Sequence, residues 1–231
     1  MSRITFYDLE LLAKPGLVWS PNTCKTRFAL NVKGIPYDTK WVDFGSMKTI
    51  IPSLTKQDKR PTVPIIIDSK NEQVIDDSLN IAHYLEKEFP ENSLFHGNIA
   101  KPFFPIFKLA ILKIHKSVGP QELQDWFKED REAKYGVSLE QVAGDREANI
   151  ASLKQGLTSI VQLLKEFPFI TGDQVGWADV VFMSHLVFLE ALEPELFESA
   201  VLNVFGSSDD TLKSYWTRTE KYRKIIPSSS L

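Results

Sequence analysis

The period of the apolar residues changes along the chain, and the changes divide it into elements. Ile4-Thr5-Phe6-Tyr7 alternates and is β-rich, which predicts a short strand. Leu9 to Trp19 holds Pro15 and Gly16, keeps no steady period and reads as a loop. Ser20-Pro21 then opens a helix: the serine sits at the N-cap, where its oxygen can reach an orphan amide. The proline takes the first helical position, where a missing N–H costs nothing. This helix runs to about Lys33, with Gly34 as its stop, and Cys24, Phe28 and Val32 fall on one apolar stripe. Tyr37 to Val42 reads as a second strand, whereas the polar stretch from Phe44 to Arg60, with Gly45 and Pro52, yields no element. Thr62-Val63-Pro64-Ile65-Ile66-Ile67 is a β-branched run broken by a proline, a strand entered through a bend. Asp68 to Asn71 is turn chemistry and Gln73-Val74-Ile75 the returning strand. Asp77-Ser78 starts another helix, carried by Leu79, Ala82, Leu85 and Phe89 and closed by Pro90.

Beyond Pro90 no strand is predicted. Phe103 to Val118 is an apolar, aromatic helix ended by Gly119-Pro120, and a charged stretch from Lys128 to Lys134 leads to Gly136. Ser138-Leu139-Glu140-Gln141 has the spacing of a capping box. It should open one long helix carrying Ile150, Leu153, Leu157, Ile160, Leu164 and Phe167, which Pro168 ends. Trp177 to Leu192 is apolar on nearly every side and should be a buried central helix. Asp209 to Tyr222 would be the last helix, and Pro227 to Ser230 a frayed tail. The prediction is an α+β domain over residues 1–92 and an all-helical domain over 100–231.

Composition narrows the chemistry. With 43% hydrophobic and 25% charged residues the chain is ordinary for a soluble globular protein. A net charge of −3 supplies no basic field, so nucleic acid is not an expected partner. A single cysteine, Cys24, excludes an intrachain disulfide and fits a reducing compartment. Arg3, Asp8 and Glu10 stand where a signal peptide would be apolar, so none is expected. The apolar run from Val180 to Leu192 is shorter than the ~20 residues a bilayer span takes, so no membrane insertion is expected. His83, His96, His115 and His185 show no ligand spacing, so no metal is expected. No phosphate-cradling glycine loop and no nucleophile elbow occurs.

Three motifs carry a resemblance: Ser20-Pro21 at the first helix, Val63-Pro64 before a strand, and Asp77-Ser78 at a helix start. A fourth is Gly172-Asp173-Gln174 followed by Ala178-Asp179, with Gly176 where the family usually caps the helix with Ser or Thr. Together they make the chain resemble a cytosolic glutathione transferase over nearly its whole length: a thioredoxin-like glutathione-binding domain followed by an all-α domain. Tyr7-Asp8-Leu9, Lys25-Thr26-Arg27 and Lys33-Gly34 are most similar to the β-etherase type and its fungal class A (FuA) relatives. The resemblance implies a cytoplasmic homodimer that uses glutathione as co-substrate. It implies a cis Val63-Pro64 bond, with the valine backbone pairing with the tripeptide, and Asp77 and Ser78 at its γ-glutamyl end. Ser20 would donate a hydrogen bond to the sulfur, with Asn22 or a backbone amide sharing the task. Leu17, Trp19, Phe103, Phe104 and Phe107 would form an apolar pocket for aromatic electrophiles, aryl ethers among them, or for aromatic ligands held without turnover. Each motif also has a plainer use: Ser20, Asp77 and Ser78 as helix caps, Pro64 at a strand edge, and the Phe103–Phe107 cluster as domain packing. Cys24 lies one turn inside the helix on its apolar stripe and is expected to be buried and inert.

Overall fold

A computed structural model describes residues 2–56, 60–97 and 105–225. Its strands form one sheet in the order β2-β1-β3-β4. Strand β1 (Ile4–Leu9) runs parallel to β2 (Tyr37–Val42), with Ile4 opposite Tyr37, and antiparallel to β3 (Ile65–Asp68), with Ile4 opposite Asp68. β4 (Gln73–Asp76) closes the far edge, Ile65 facing Asp76. A parallel pair needs a crossover, and helix α1 (Pro21–Lys33) supplies it, ending at Gly34 in the left-handed region at φ 68°. The stripe of Cys24, Phe28 and Val32 is buried, but so are ten of the thirteen residues of α1, because the helix is covered on two sides. Strand β1 extends past the predicted Tyr7 because Asp8 is paired inside the core. Its Oδ2 accepts from Arg27 Nη2 at 2.7 Å, with both side chains essentially inaccessible (2% and 0%). Rings of Phe6, Tyr37 and Trp41 surround that guanidinium.

The stretch from Phe44 to Arg60, for which no element was predicted, holds helix α2 (Met47–Thr55). Met47, Ile50, Ile51 and Leu54 do keep a helical period there, but Pro52 inside the helix breaks the usual signal. Asp43 holds the entry turn, accepting from the amides of Gly45 (2.7 Å) and Ser46 (3.1 Å). Helix α3 (Ser78–Glu88) begins where predicted, with Asp77 Oδ1 accepting from Leu79 N at 2.8 Å and Asn80 N at 3.2 Å.

From residue 105 the described chain is mostly helical, with turns and an isolated antiparallel bridge between Phe169 and Gly172. Helix α4 (Ile106–Ser117) is followed by α5 (Gln121–Tyr135), so the charged stretch from Lys128 belongs to a helix whose buried side carries Phe127. The capping box at Ser138 forms, but it opens only the short α6 (Leu139–Ala143). Gly144, at φ 64°, turns the chain, and Asp145 caps the long α7 (Arg146–Glu166) through Ala148 N at 2.6 Å. The single long helix expected from Ser138 is therefore two. Helix α8 (Trp177–Leu192) is the buried centre, packed on α1 of the first half and α4 of the second. A short α9 (Pro194–Phe197), a π-helical turn (Glu198–Leu202), α10 (Thr211–Arg218) and α11 (Glu220–Arg223) complete the chain. The last predicted helix is thus divided at Thr219, whose hydroxyl donates to Tyr215 O at 2.9 Å. The predicted tail, Pro227 to Ser230, lies outside the described residues.

Candidate active site

Ser20 ends the loop after β1 and stands at the N-cap of α1 with extended backbone. Its carbonyl accepts from Cys24 N at 2.8 Å, as a helix start requires. Its hydroxyl does not make the capping bond expected of it. Nor does that hydroxyl have any other partner among the described residues. Ser20 is only 5% exposed, yet it lines a cavity of about 470 Å³. A buried hydroxyl aimed at a cavity, beside first-turn amides without a capping acceptor, is a donor set suited to an anion.

That cavity gathers Ser20, Asn22, Val63, Trp19 and Phe107 from the predicted set. Val63 stands outside the β3–β4 ladder, and its backbone N–H and C=O have no partner among the described residues. The Val63-Pro64 peptide is cis. Pro64, Asp77 and Ser78 do not line the cavity. The β3–β4 register, Ile65 facing Asp76, carries Asp77 and Ser78 alongside Pro64 and Val63 at the same end of the sheet. Asp77 there is strained at φ 66°. Leu17 was expected in the pocket wall; it is half-buried against the core and does not reach the cavity. Phe103 and Phe104 lie outside the described residues.

The wall contains residues that the sequence did not single out. Trp19, fixed by Nε1 donating to Leu9 O at 2.9 Å, sits between Phe188 (6.2 Å between centroids) and Phe44 (6.4 Å). Phe44 in turn meets Phe127 (5.5 Å) and Trp126 (6.1 Å) on α5, so the aromatic wall crosses from one half of the chain to the other. The Trp126-Phe127 pair inside an otherwise charged stretch was the available signal. Lys48, Arg60, Arg131 and Lys134 also line the cavity, against one carboxylate, Asp130.

Cys24 is wholly buried, and that burial pushes its thiol well above the ordinary range, which leaves it no nucleophilic role. Burial pushes the Lys25 ammonium down, partly opposed by Asp77, and holds His185 at about 4, with Lys25 adding to the effect. Among the described residues no three of His, Cys, Asp or Glu converge as a metal site would need, and no helix is long and apolar enough to cross a membrane.

Comparison with known proteins decides the family. Residues 19–88 match the glutathione S-transferase N-terminal domain and residues 92–222 the C-terminal domain. The chain belongs to the glutathione S-transferase family. Glutathione S-transferase 1 of Dianthus caryophyllus is 27% identical over 71% of this chain and 70% of its own. Among solved structures, glutathione transferase GSTFuA3 from Phanerochaete chrysosporium shares 26% identity. It covers 98% of this chain and 99% of its own at a TM-score of 0.80. The glutathione S-transferase CsGST63524 of Ceriporiopsis subvermispora, solved in complex with glutathione, shares 25% identity over 97% and 98%, with a TM-score of 0.72. This transferase-family chain is FuA-like, as its Ser20-Pro21 and Lys25-Thr26-Arg27 motifs implied. The thioredoxin-like sheet domain and mostly helical second half expected of the fold are both present.

Proposed function

We propose that this chain binds glutathione, stabilises its thiolate at Ser20 and transfers the sulfur to hydrophobic aromatic electrophiles. The observation that carries the reading is the buried, uncommitted Ser20 hydroxyl at the start of α1, facing a cavity with an aromatic wall. The tripeptide thiol would release its proton to water. The sulfur would then bond to the electrophilic carbon as the leaving group departs with its electron pair. A free thiol has a pKa of about 8.5, and lowering it by ~2 units takes roughly 2.7 kcal/mol. A hydrogen bond from Ser20 to the thiolate, ~1.5–3 kcal/mol, with ~0.3–1 from the helix end, is of that size. Val63 offers its unpaired backbone to the peptide. Asp77 and Ser78 suit the γ-glutamyl ammonium and carboxylate, and Asn22 lies within the same cavity to assist Ser20.

The test is glutathione conjugation to a generic aryl acceptor, with Ser20→Ala beside the parent. The expected result is a drop of ten- to a hundredfold at neutral pH, narrowing as pH rises through the free thiol's range. Equal rates would remove Ser20 from the mechanism. No turnover by the parent with any acceptor, beside tight dye binding, would favour the second reading, a carrier of aromatic ligands. The size of the aromatic wall keeps that reading open. Aryl ether cleavage, suggested by the branch, is one acceptor chemistry to include. Location in the cytoplasm, assembly as a homodimer and domain limits at 1–92 and 100–231 belong to the same proposal. A light-scattering mass of 26.3 kDa would remove the dimer.

A further inference from the structure

The cavity wall is unevenly charged. Four of the basic side chains of a chain with net charge −3 line it, against the single carboxylate of Asp130. Asp130 is shared: it accepts from Arg60 Nη2 at 2.6 Å and from Arg131 Nη1. Only Nη1 of Arg131 is used in this way. Among the described residues its Nε and Nη2 have no acceptor, and its guanidinium lies over the Phe127 ring at 4.6 Å. The two guanidinium groups thus share one carboxylate; burial disfavours the Arg131 charge, and Arg60 beside it adds to the effect. Lys134, one turn along α5, and Lys48, over the face of Trp126 at 3.9 Å, have no ion pair among the described residues. Glutathione itself brings one carboxylate beyond the γ-glutamyl end, a charge that a single cation matches, and Lys48, on the same half as Ser20 and Val63, would be that cation. The cations on α5 are then left over, beside the rings of Trp126, Phe127 and Phe107.

We infer that the second molecule taken by this site is an aromatic carboxylate, its ring on the Trp126–Phe127 wall and its carboxylate held by Arg131 with Lys134. A planar carboxylate matches the two unused donors of the Arg131 fork, and it completes the charge that Asp130 leaves unbalanced. The ring supplies contact area and the cations supply selection between an acid and its neutral ester. The inference deepens the transferase reading of the same cavity and rests on it for the position of the tripeptide.

The experiment titrates 2-naphthoate and methyl 2-naphthoate into the full chain with saturating reduced glutathione, reading tryptophan quenching. Arg131→Gln should weaken the acid tenfold or more, the ratio that corresponds to about 1.4 kcal/mol. The ester should change less than twofold. Lys134→Gln should weaken the acid severalfold, and it serves if Arg131→Gln fails to fold. Added salt should weaken the acid and not the ester. Equal losses for acid and ester in both variants would overturn the inference, as would displacement of the acid by glutathione. The acid-to-ester ratio can also be read without the tripeptide. Failure of glutathione to bind would therefore sink the transferase reading while leaving this comparison to be judged separately.

Discussion

Ser20 and Cys24 stand four residues apart on α1, and their surroundings separate their chemistry. Ser20 meets the cavity with a free hydroxyl, whereas Cys24 is wholly buried and has no access to solvent. Burial raises the cysteine's pKa, so the nucleophilic thiolate is scarce in the folded protein. Native protein should therefore react with a thiol-specific disulfide reagent at least a hundredfold more slowly than urea-unfolded protein, with one thiol released on unfolding. Stoichiometric labelling of the native chain within minutes would contradict the burial. The absence of a side-chain cap at Ser20 has the same logic in reverse. A hydroxyl that capped α1 would be committed to the backbone; left free, it can serve the proposed reaction as a donor to the sulfur.

At the scale of elements, the start of α8 and its middle are both under constraint. Asp179 accepts from Ile170 N (2.8 Å), Thr171 N (3.1 Å), Gly176 N (3.2 Å) and Tyr215 OH (3.1 Å), and from the Thr171 hydroxyl. It ties the loop before α8 to α10. Gly176 replaces the usual capping residue because a Cβ there would come within 2.6 Å of Thr171 Cγ2 and 2.9 Å of Leu94 O. Gly176→Ala should cost about 1–3 kcal/mol of unfolding free energy, as overpacking does, measured by urea denaturation. Further along α8, His185 has a folded pKa of about 4, set by burial and then by Lys25, against 6.5 in the unfolded chain. Between those values the unfolded chain takes up a proton that the folded chain refuses. Stability should thus fall as pH drops from about 6.5 to about 4, by at most ~1.4 kcal/mol per unit, and be unaffected above that window. His185→Asn should flatten the parent's slope over that interval. A variant with an unchanged slope would show that other groups set it.

For the whole molecule, the packing of α1 against α8 and the aromatic wall from Trp19 to Phe127 join the two halves. Neither half can shed the other without exposing buried rings, so the chain should unfold in one transition. Far-UV ellipticity should coincide with the fluorescence of its five tryptophans, which are distributed over both halves. Two resolved transitions would mean that the interface contributes little. Glutathione at a hundredfold its Kd should raise the unfolding free energy by about 2.7 kcal/mol if it binds only the folded chain.

The local patterns of the sequence were sufficient for the strands, for α1, α3 and α8, and for the switch from mixed to helical structure. Alternation, proline and glycine stops and a continuous apolar run are properties of neighbouring residues, and they survive in the fold. Residues whose use depends on distant partners were not legible in the same way. Pro52 hid α2, a turn at Gly144 split the long helix that the Ser138 capping box seemed to begin, and Leu17 turned away from the cavity it was expected to line. The motifs placed Ser20 and Asn22 at the start of α1 and Val63 before β3, and only the packing of sheet, α1, α2 and α5 brought them into one cavity with Trp126 and Arg131. The physical reason is range. Propensity and capping act over three or four residues, whereas a cavity wall is made by side chains more than a hundred positions apart, and their charge balance exists only once they meet.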